Sequence, residues 1–255
     1  MDELTNNERL SRIETLWSVV NHAHDSDSPT SDQAKQALLN RYSNAIRRYL
    51  GAAVKQPDIA NDLFQEFAVK FLKGDFRSVD PVRGRFRSFV KTVLFRMVAH
   101  HFRKQASDRI VQVEELPDPE SSPESDRSET EFINAWRSGL LDRAWQAIEK
   151  EQEAGGPKHH TILRIRAEHP LADFQTIASY LEQKLRKKIS PGNARVMVHR
   201  ARSKFAQHLV QQVANSLNRA NAENLEQELI ELKLIDYCKE HLDNLKKQEK
   251  SDSDV

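Results

Sequence analysis

The stretch GRFRSFVKTVLFRMVAHHFRK, Gly84–Lys104, holds Arg85, Arg87, Lys91, Arg96, Arg103 and Lys104 and not one acid. Phe86, Phe89, Phe95 and Phe102 recur between those cations. Phe86, Phe89, Val90, Val93, Met97 and Phe102 follow the helical period, so the stretch predicts an amphipathic helix with Phe95 off its apolar stripe. A helix both basic and aromatic is either an ordinary packed element or a nucleic-acid-binding surface. What surrounds it decides.

Upstream, Leu10, Ile13, Leu16, Trp17 and Val20 mark a helix over Arg9–Val20, and the polar HDSDSPTSD that follows is a connection. A second helix is expected over Ser31–Leu50, with Ser31 as N-cap, Leu39, Tyr42, Ile46 and Tyr49 as its buried stripe, and Gly51 as its stop. A third starts near Asp58, carries Ile59, Leu63, Phe67 and Phe71 one turn apart, and ends before Gly74. DFRSVDPVRG, Asp75–Gly84, is a loop punctuated by Pro81 and Gly84.

Downstream, Gln105–Ser128 loses its periodicity, and LPDPESSPESDRSE reads as an extended or disordered linker. Helical patterning resumes at Phe132 with Trp136, Leu140, Leu141, Ala144, Trp145 and Ile148, and EAGGPKHH breaks it. Short helices are expected over Thr161–Glu168 and Asp173–Lys184. A long one follows from Pro191 to Val213, capped by Ser190 with Pro191 in its first position. One amphipathic segment then covers Leu225–Leu242. No run alternates β-branched residues, so the expected fold is all-α.

Among 255 residues, 30% are charged and only 7% aromatic, which favours solvated helical modules over a thick sheet core. Glycines number 7, without a Gly-rich phosphate loop. The single Cys238 excludes an internal disulfide and suits a reducing compartment. No apolar run is long enough to span a bilayer, and MDELTNNERL lacks the features of a signal peptide, so the expected location is cytoplasmic without membrane insertion.

The net charge of +1 argues at first sight against a nucleic-acid binder. The charges are nevertheless sorted into blocks. Lys70–Lys104 holds ten Lys or Arg against Asp75 and Asp80, and Lys184–Lys204 holds eight and no acid. Between them, Glu114–Glu131 holds eight acids and only Arg127. The organisation expected from these shifts is an N-terminal extension (1–30), a helical domain (31–105), an acidic linker (106–130), a second helical domain (131–213) and a C-terminal extension (214–255).

Asp173–Lys184, a turn and the helix from Pro191 have the layout of a helix-turn-helix, although the intervening EQKLRKKIS is long for that turn. In such a module the start of the second helix meets base edges while nearby cations grip phosphates. Asn193 suits adenine and Arg195 suits guanine, whereas His199, Arg200, Arg202 and Lys204 extend the same basic face, the last three suiting phosphates. The competing reading is a basic, solvated face on an ordinary helical hairpin.

DLFQEF, Asp62–Phe67, adds a second signal, because Asp62 and Glu66 lie one turn apart with Gln65 beside them. Together with DPVRGRFRSFV it resembles the bacterial RNA polymerase sigma factors of the extracytoplasmic-function type. DLFQEF resembles the family helix that docks on the polymerase clamp helices. DPVRGRFRSFV resembles the approach to the helix that opens and reads the minus-ten element. ISPGNARVMVHRARSKF resembles the minus-thirty-five recognition helix, and LLDRAWQAIEKE the first helix of the same domain. The likeness spans Ser31–Val213, and LVQQVANSLNRANAENLEQELIEL resembles the extension of one subgroup. Arg96-Met97 and His100 depart from the family pattern, which bears on the promoter sequence.

The resemblance implies that Asp62, Gln65 and Glu66 hold core polymerase. Arg85, Arg87, Lys91, Phe95, Arg96, Arg103 and Lys104 would engage the minus-ten region, and Asn193, Arg195, His199, Arg200, Arg202 and Lys204 the minus-thirty-five region. Strand separation needs cations for phosphates and apolar surface for unstacked bases. Phe86, Phe89 and Phe102 are expected to pack in the core, and Phe95 to reach DNA. The loop Asp75–Gly84 is a candidate pocket for a flipped base, and the acidic linker would thread toward the polymerase channel.

The implied partners are core polymerase and promoter DNA, with room for an anti-sigma factor or other regulator. No cofactor, metal or catalysis is implied. The adjacent pairs His100-His101 and His159-His160 point apart on a helix and form no metal site by themselves. The alternative is a stand-alone helix-turn-helix regulator, which leaves DLFQEF without a role. A metal-dependent enzyme acting on nucleic acid is a third.

Overall fold

The computed structural model describes residues 29–73, 75, 86–108, 123–217 and 221–253. Among these the chain is helical throughout, without a strand: α1 (Pro29–Val54), α2 (Pro57–Lys73), α3 (Phe86–Asp108), α4 (Pro123–Glu153), α5 (His159–Glu168), α6 (Phe174–Leu185), α7 (Pro191–Ala214), α8 (Ala222–Glu231) and α9 (Ile235–Ser253). None of these helices is long and apolar enough to cross a membrane. The expected helix Arg9–Val20, most of the loop Asp75–Gly84 and linker residues 109–122 lie outside the described residues.

Contacts divide the chain into two units, with the division at Gly139/Leu140 inside α4 and near the end of α7. The sequence reading had placed Phe132–Gly139 with the second domain. Instead, their contacts lie with α1 and α3. The acidic stretch also differs from expectation, since Pro123–Thr130 forms the first turns of α4. Pro123 opens that helix, where its missing N–H costs no hydrogen bond.

The first unit is held by apolar faces of α1, α2, α3 and the start of α4. Leu39, Tyr42, Ile46 and Tyr49 are all buried, as their spacing predicted, and meet Leu63, Phe64, Phe67 and Phe71 of α2. Aromatic rings then run from Phe71 through Phe86, Tyr42 and Trp136 to Phe132 and Tyr49. The first amide of α3, which has no partner within its own helix, donates from Phe86 to the Ser216 carbonyl at 3.3 Å. Gly51 does not end α1. The helix continues to Val54, and Lys55 takes the left-handed conformation (φ 55°) usually left to glycine.

In the second unit, α5, α6, α7 and the end of α4 enclose Ile148, Ile162, Ile177, Leu181, Ile189, Ala194 and Val198. Small residues on α7, Ala194 and Ala201, let it approach α6 closely. After α7, the expected single segment Leu225–Leu242 is two helices. Lys233 is left-handed (φ 55°), and Leu234 N–H bonds back to the Leu229 carbonyl at 2.8 Å. That turn lets Leu225, Leu229, Leu232, Leu234, Cys238 and Leu242 all bury, which one straight helix would prevent. Burial pushes the Cys238 thiol up to about 12, leaving it a small apolar filler rather than a nucleophile.

Candidate nucleic-acid interface

The α6–α7 pair builds its geometry from local chemistry. Asp173 caps α6, accepting from Thr176 N–H at 2.8 Å, a bond that holds its carboxyl below the usual range. Arg186 closes α6 in the left-handed conformation (φ 52°). The connection is therefore only Arg186–Ser190, shorter than the stretch suspected from sequence. Ile189 anchors it in the core, and its N–H donates to Glu182 Oε1 at 2.7 Å. Ser190 then caps α7, its Oγ accepting from Asn193 N–H at 3.2 Å.

Ala194, Val198 and Ala201 form the buried stripe of α7, which turns Asn193, Arg195, His199, Arg200 and Arg202 toward solvent. Arg195 does not float freely, because its guanidinium lies over the Phe174 ring, 5.1 Å from the centroid. That stacking orients a donor fork near the start of α7. Val196 shares this face at 45% exposure and was missed by sequence reasoning. The available signal was its phase, one step off the Ala194–Val198 stripe. An exposed branched side chain beside Arg195 is suited to a thymine methyl group.

Two residues of the expected set are already engaged. Lys204 is half-buried, with its ammonium 3.1 Å from Glu151 and 3.2 Å from Gln207 Oε1. His208 Nε2 lies 3.0 Å from the same carboxylate without an aligned hydrogen bond. Burial would raise the Glu151 carboxyl, but these two basic groups outweigh it and hold it below its usual value. His199 stays exposed while its Nε2 sits 3.5 Å from Glu240 of α9.

On α3 the expected cation set is thinner than its sequence. Arg87 is only 5% exposed, because it falls beside Phe86 on the side that packs inward, so it is a core residue rather than a surface contact. Lys91 is half-buried and 2.8 Å from Glu129 of α4. Arg96, Arg103 and Lys104 remain exposed, and Arg85 lies outside the described residues. Phe86 and Phe89 are buried as expected. Phe102 is not: it is 41% exposed, since the packing of α3 stops before its last turns. Phe95 is half-buried, so Phe102 is the more accessible ring.

On α2, Asp62, Gln65 and Glu66 project together into an open depression completed by Val69, Lys70 and Asp75. Glu66 pairs with Lys70 one turn later. The neighbouring Phe64 is buried beneath the Arg47 guanidinium, 3.7 Å from its centroid, and Arg47 also donates to Asn61 Oδ1 at 2.9 Å. These contacts tie α2 to α1 and fix the acidic face.

Compared with protein-family models, with curated proteins and with solved structures, the chain matches none.

Proposed function

We propose that the chain is a promoter-specificity subunit of bacterial RNA polymerase, of the extracytoplasmic-function sigma type. The observation that carries this reading is the capped α6–α7 pair, whose second helix turns Asn193, Arg195, Arg200 and Arg202 outward from one buried stripe. A helix so arranged fits the major groove with its first turns at base edges and its later cations at phosphates. The co-projecting Asp62, Gln65 and Glu66 supply a separate acidic face for the polymerase.

Arg96, Arg103 and Lys104 act on phosphates near the minus-ten element, and Phe102 joins Phe95 as a ring available to an unstacked base. The chain itself breaks no bond. Affinity for the separated strand stabilises the open promoter.

The burial of Arg87 and the pairing of Lys91 favour one alternative, in which α7 alone reads duplex DNA and the protein is a stand-alone regulator. Co-purification with bacterial core polymerase separates the two. Wild-type binding, weakened by Asp62→Ala/Glu66→Ala, supports the sigma reading. Specific duplex binding without any retention on core polymerase selects the regulator.

A further inference from the structure

We propose that the open depression where α7 meets the start of α5 and the middle of α9 is a binding site for a phosphoryl group. It has a volume of about 680 Å3 and is lined by His159, His199, Arg200, Ser203, Lys204 and His241, with Pro157 and Gln207 at its margin. His199 and Ser203, like Arg200 and Lys204, lie one turn apart on α7, so all four share one face. Residue His159 comes from α5 and His241 from α9. Neither belongs to the helix-turn-helix, and the inference stands whether or not the promoter reading does.

The charge balance favours an anion. Two carboxylates face the cluster, Glu151 of α4 on Lys204 and His208, and Glu240 of α9 on His199. Arg200 makes no ion pair with the described residues and is exposed. Burial and then the Lys204 ammonium lower the His159 imidazole pKa, with Glu151 opposing, and burial lowers that of His241. Cationic and N–H groups thus converge where protonation is disfavoured, a cost that a bound anion removes. Guanidinium, ammonium, hydroxyl and imidazole N–H together match the oxygens of a phosphoryl group. The open side admits one carried on something larger, either a nucleic-acid backbone or a free small phosphate.

The test is a histidine C2–H NMR titration of the full chain at neutral pH, with inorganic phosphate against chloride at matched ionic strength. Saturable shifts of the His159 and His241 resonances are expected, with binding at least about tenfold weaker in Arg200→Gln. Shifts that rise linearly, that chloride reproduces, or that Arg200→Gln leaves unchanged would overturn the site. Because Arg200 is exposed, this variant keeps its fold, which circular dichroism checks. Adding a mixed-sequence DNA duplex identifies the source. Displacement of phosphate points to a nucleic-acid backbone, and retention points to a free phosphate.

Discussion

Lys91 of α3 donates to Glu129 of α4 at 2.8 Å, so a cation expected to face DNA is held by an acid from the stretch expected to be a linker. Both side chains are more than a third exposed, which leaves the pair worth no more than about 1 kcal/mol to stability. Glu129→Gln should therefore leave the urea midpoint nearly unchanged while freeing Lys91. If α3 binds DNA, the variant binds more tightly at low salt and its salt slope steepens by about one phosphate contact. An unchanged slope would place Lys91 outside the interface.

Trp136 stacks on Tyr42 with centroids 4.0 Å apart and rings 14° from parallel, and it is 1% exposed. Trp136→Ala should destabilise the first unit by about 3–5 kcal/mol through lost burial and a residual cavity. Trp136→Phe keeps most of the ring contact and should cost markedly less. Urea unfolding followed by circular dichroism measures both.

Two glycines should respond in opposite directions. A Cβ at Gly51 meets nothing within 4 Å, so Gly51→Ala in α1 should stabilise by about 0.5–1 kcal/mol by restricting the unfolded chain. A Cβ at Gly156 falls 2.6 Å from the Glu151 carbonyl oxygen, which also accepts the Gly156 N–H. Gly156→Ala must displace backbone and should destabilise by about 1–3 kcal/mol. Thermal melts of the two variants test the contrast.

The second unit should lose stability on acidification. Burial lowers the pKa of His241 from its ordinary 6.5, so the folded state takes up its proton less readily than the unfolded chain. The resulting stability is complete above the ordinary value and declines as pH falls through the lowered one. His159 changes in the same sense, and Glu151 adds a further loss at still lower pH, below its ordinary 4.5. His241→Gln should flatten the first part of this decline in urea titrations run across the acidic range. An identical slope in the variant would exclude His241 as a contributor.

Arg195 and Arg202 should separate specificity from affinity. Arg195, steadied by Phe174 near the start of α7, suits a base edge. Arg195→Ala should cost about 1–3 kcal/mol on a preferred site and relax discrimination at one base pair. Arg202→Ala should weaken all sequences alike and reduce the salt slope by about one contact. Quantitative binding to a randomised duplex pool distinguishes the two patterns.

Much of the fold was legible because helical periodicity and caps are encoded within a turn or two of the residues concerned. The Leu39–Tyr49 stripe, the Leu63–Phe67–Phe71 row and the Ser190 cap needed no distant partner to be read. Helix ends were harder to see. Lys55, Arg186 and Lys233 take left-handed conformations, and their side chains give none of the signal that glycine would.

The sequence by itself determined an all-helical chain, the phase of its buried stripes and the location of its basic blocks. Only tertiary structure decided which cations remain available. Arg87 went inward with the face of α3, Lys91 met an acid 38 positions away, and Lys204 met Glu151 on another helix. Phe102 became exposed because packing ends before the last turns of its helix. Periodicity assigns a side chain to one face of its own helix, but whether that face meets water, an acid or a core depends on chain segments far away in sequence.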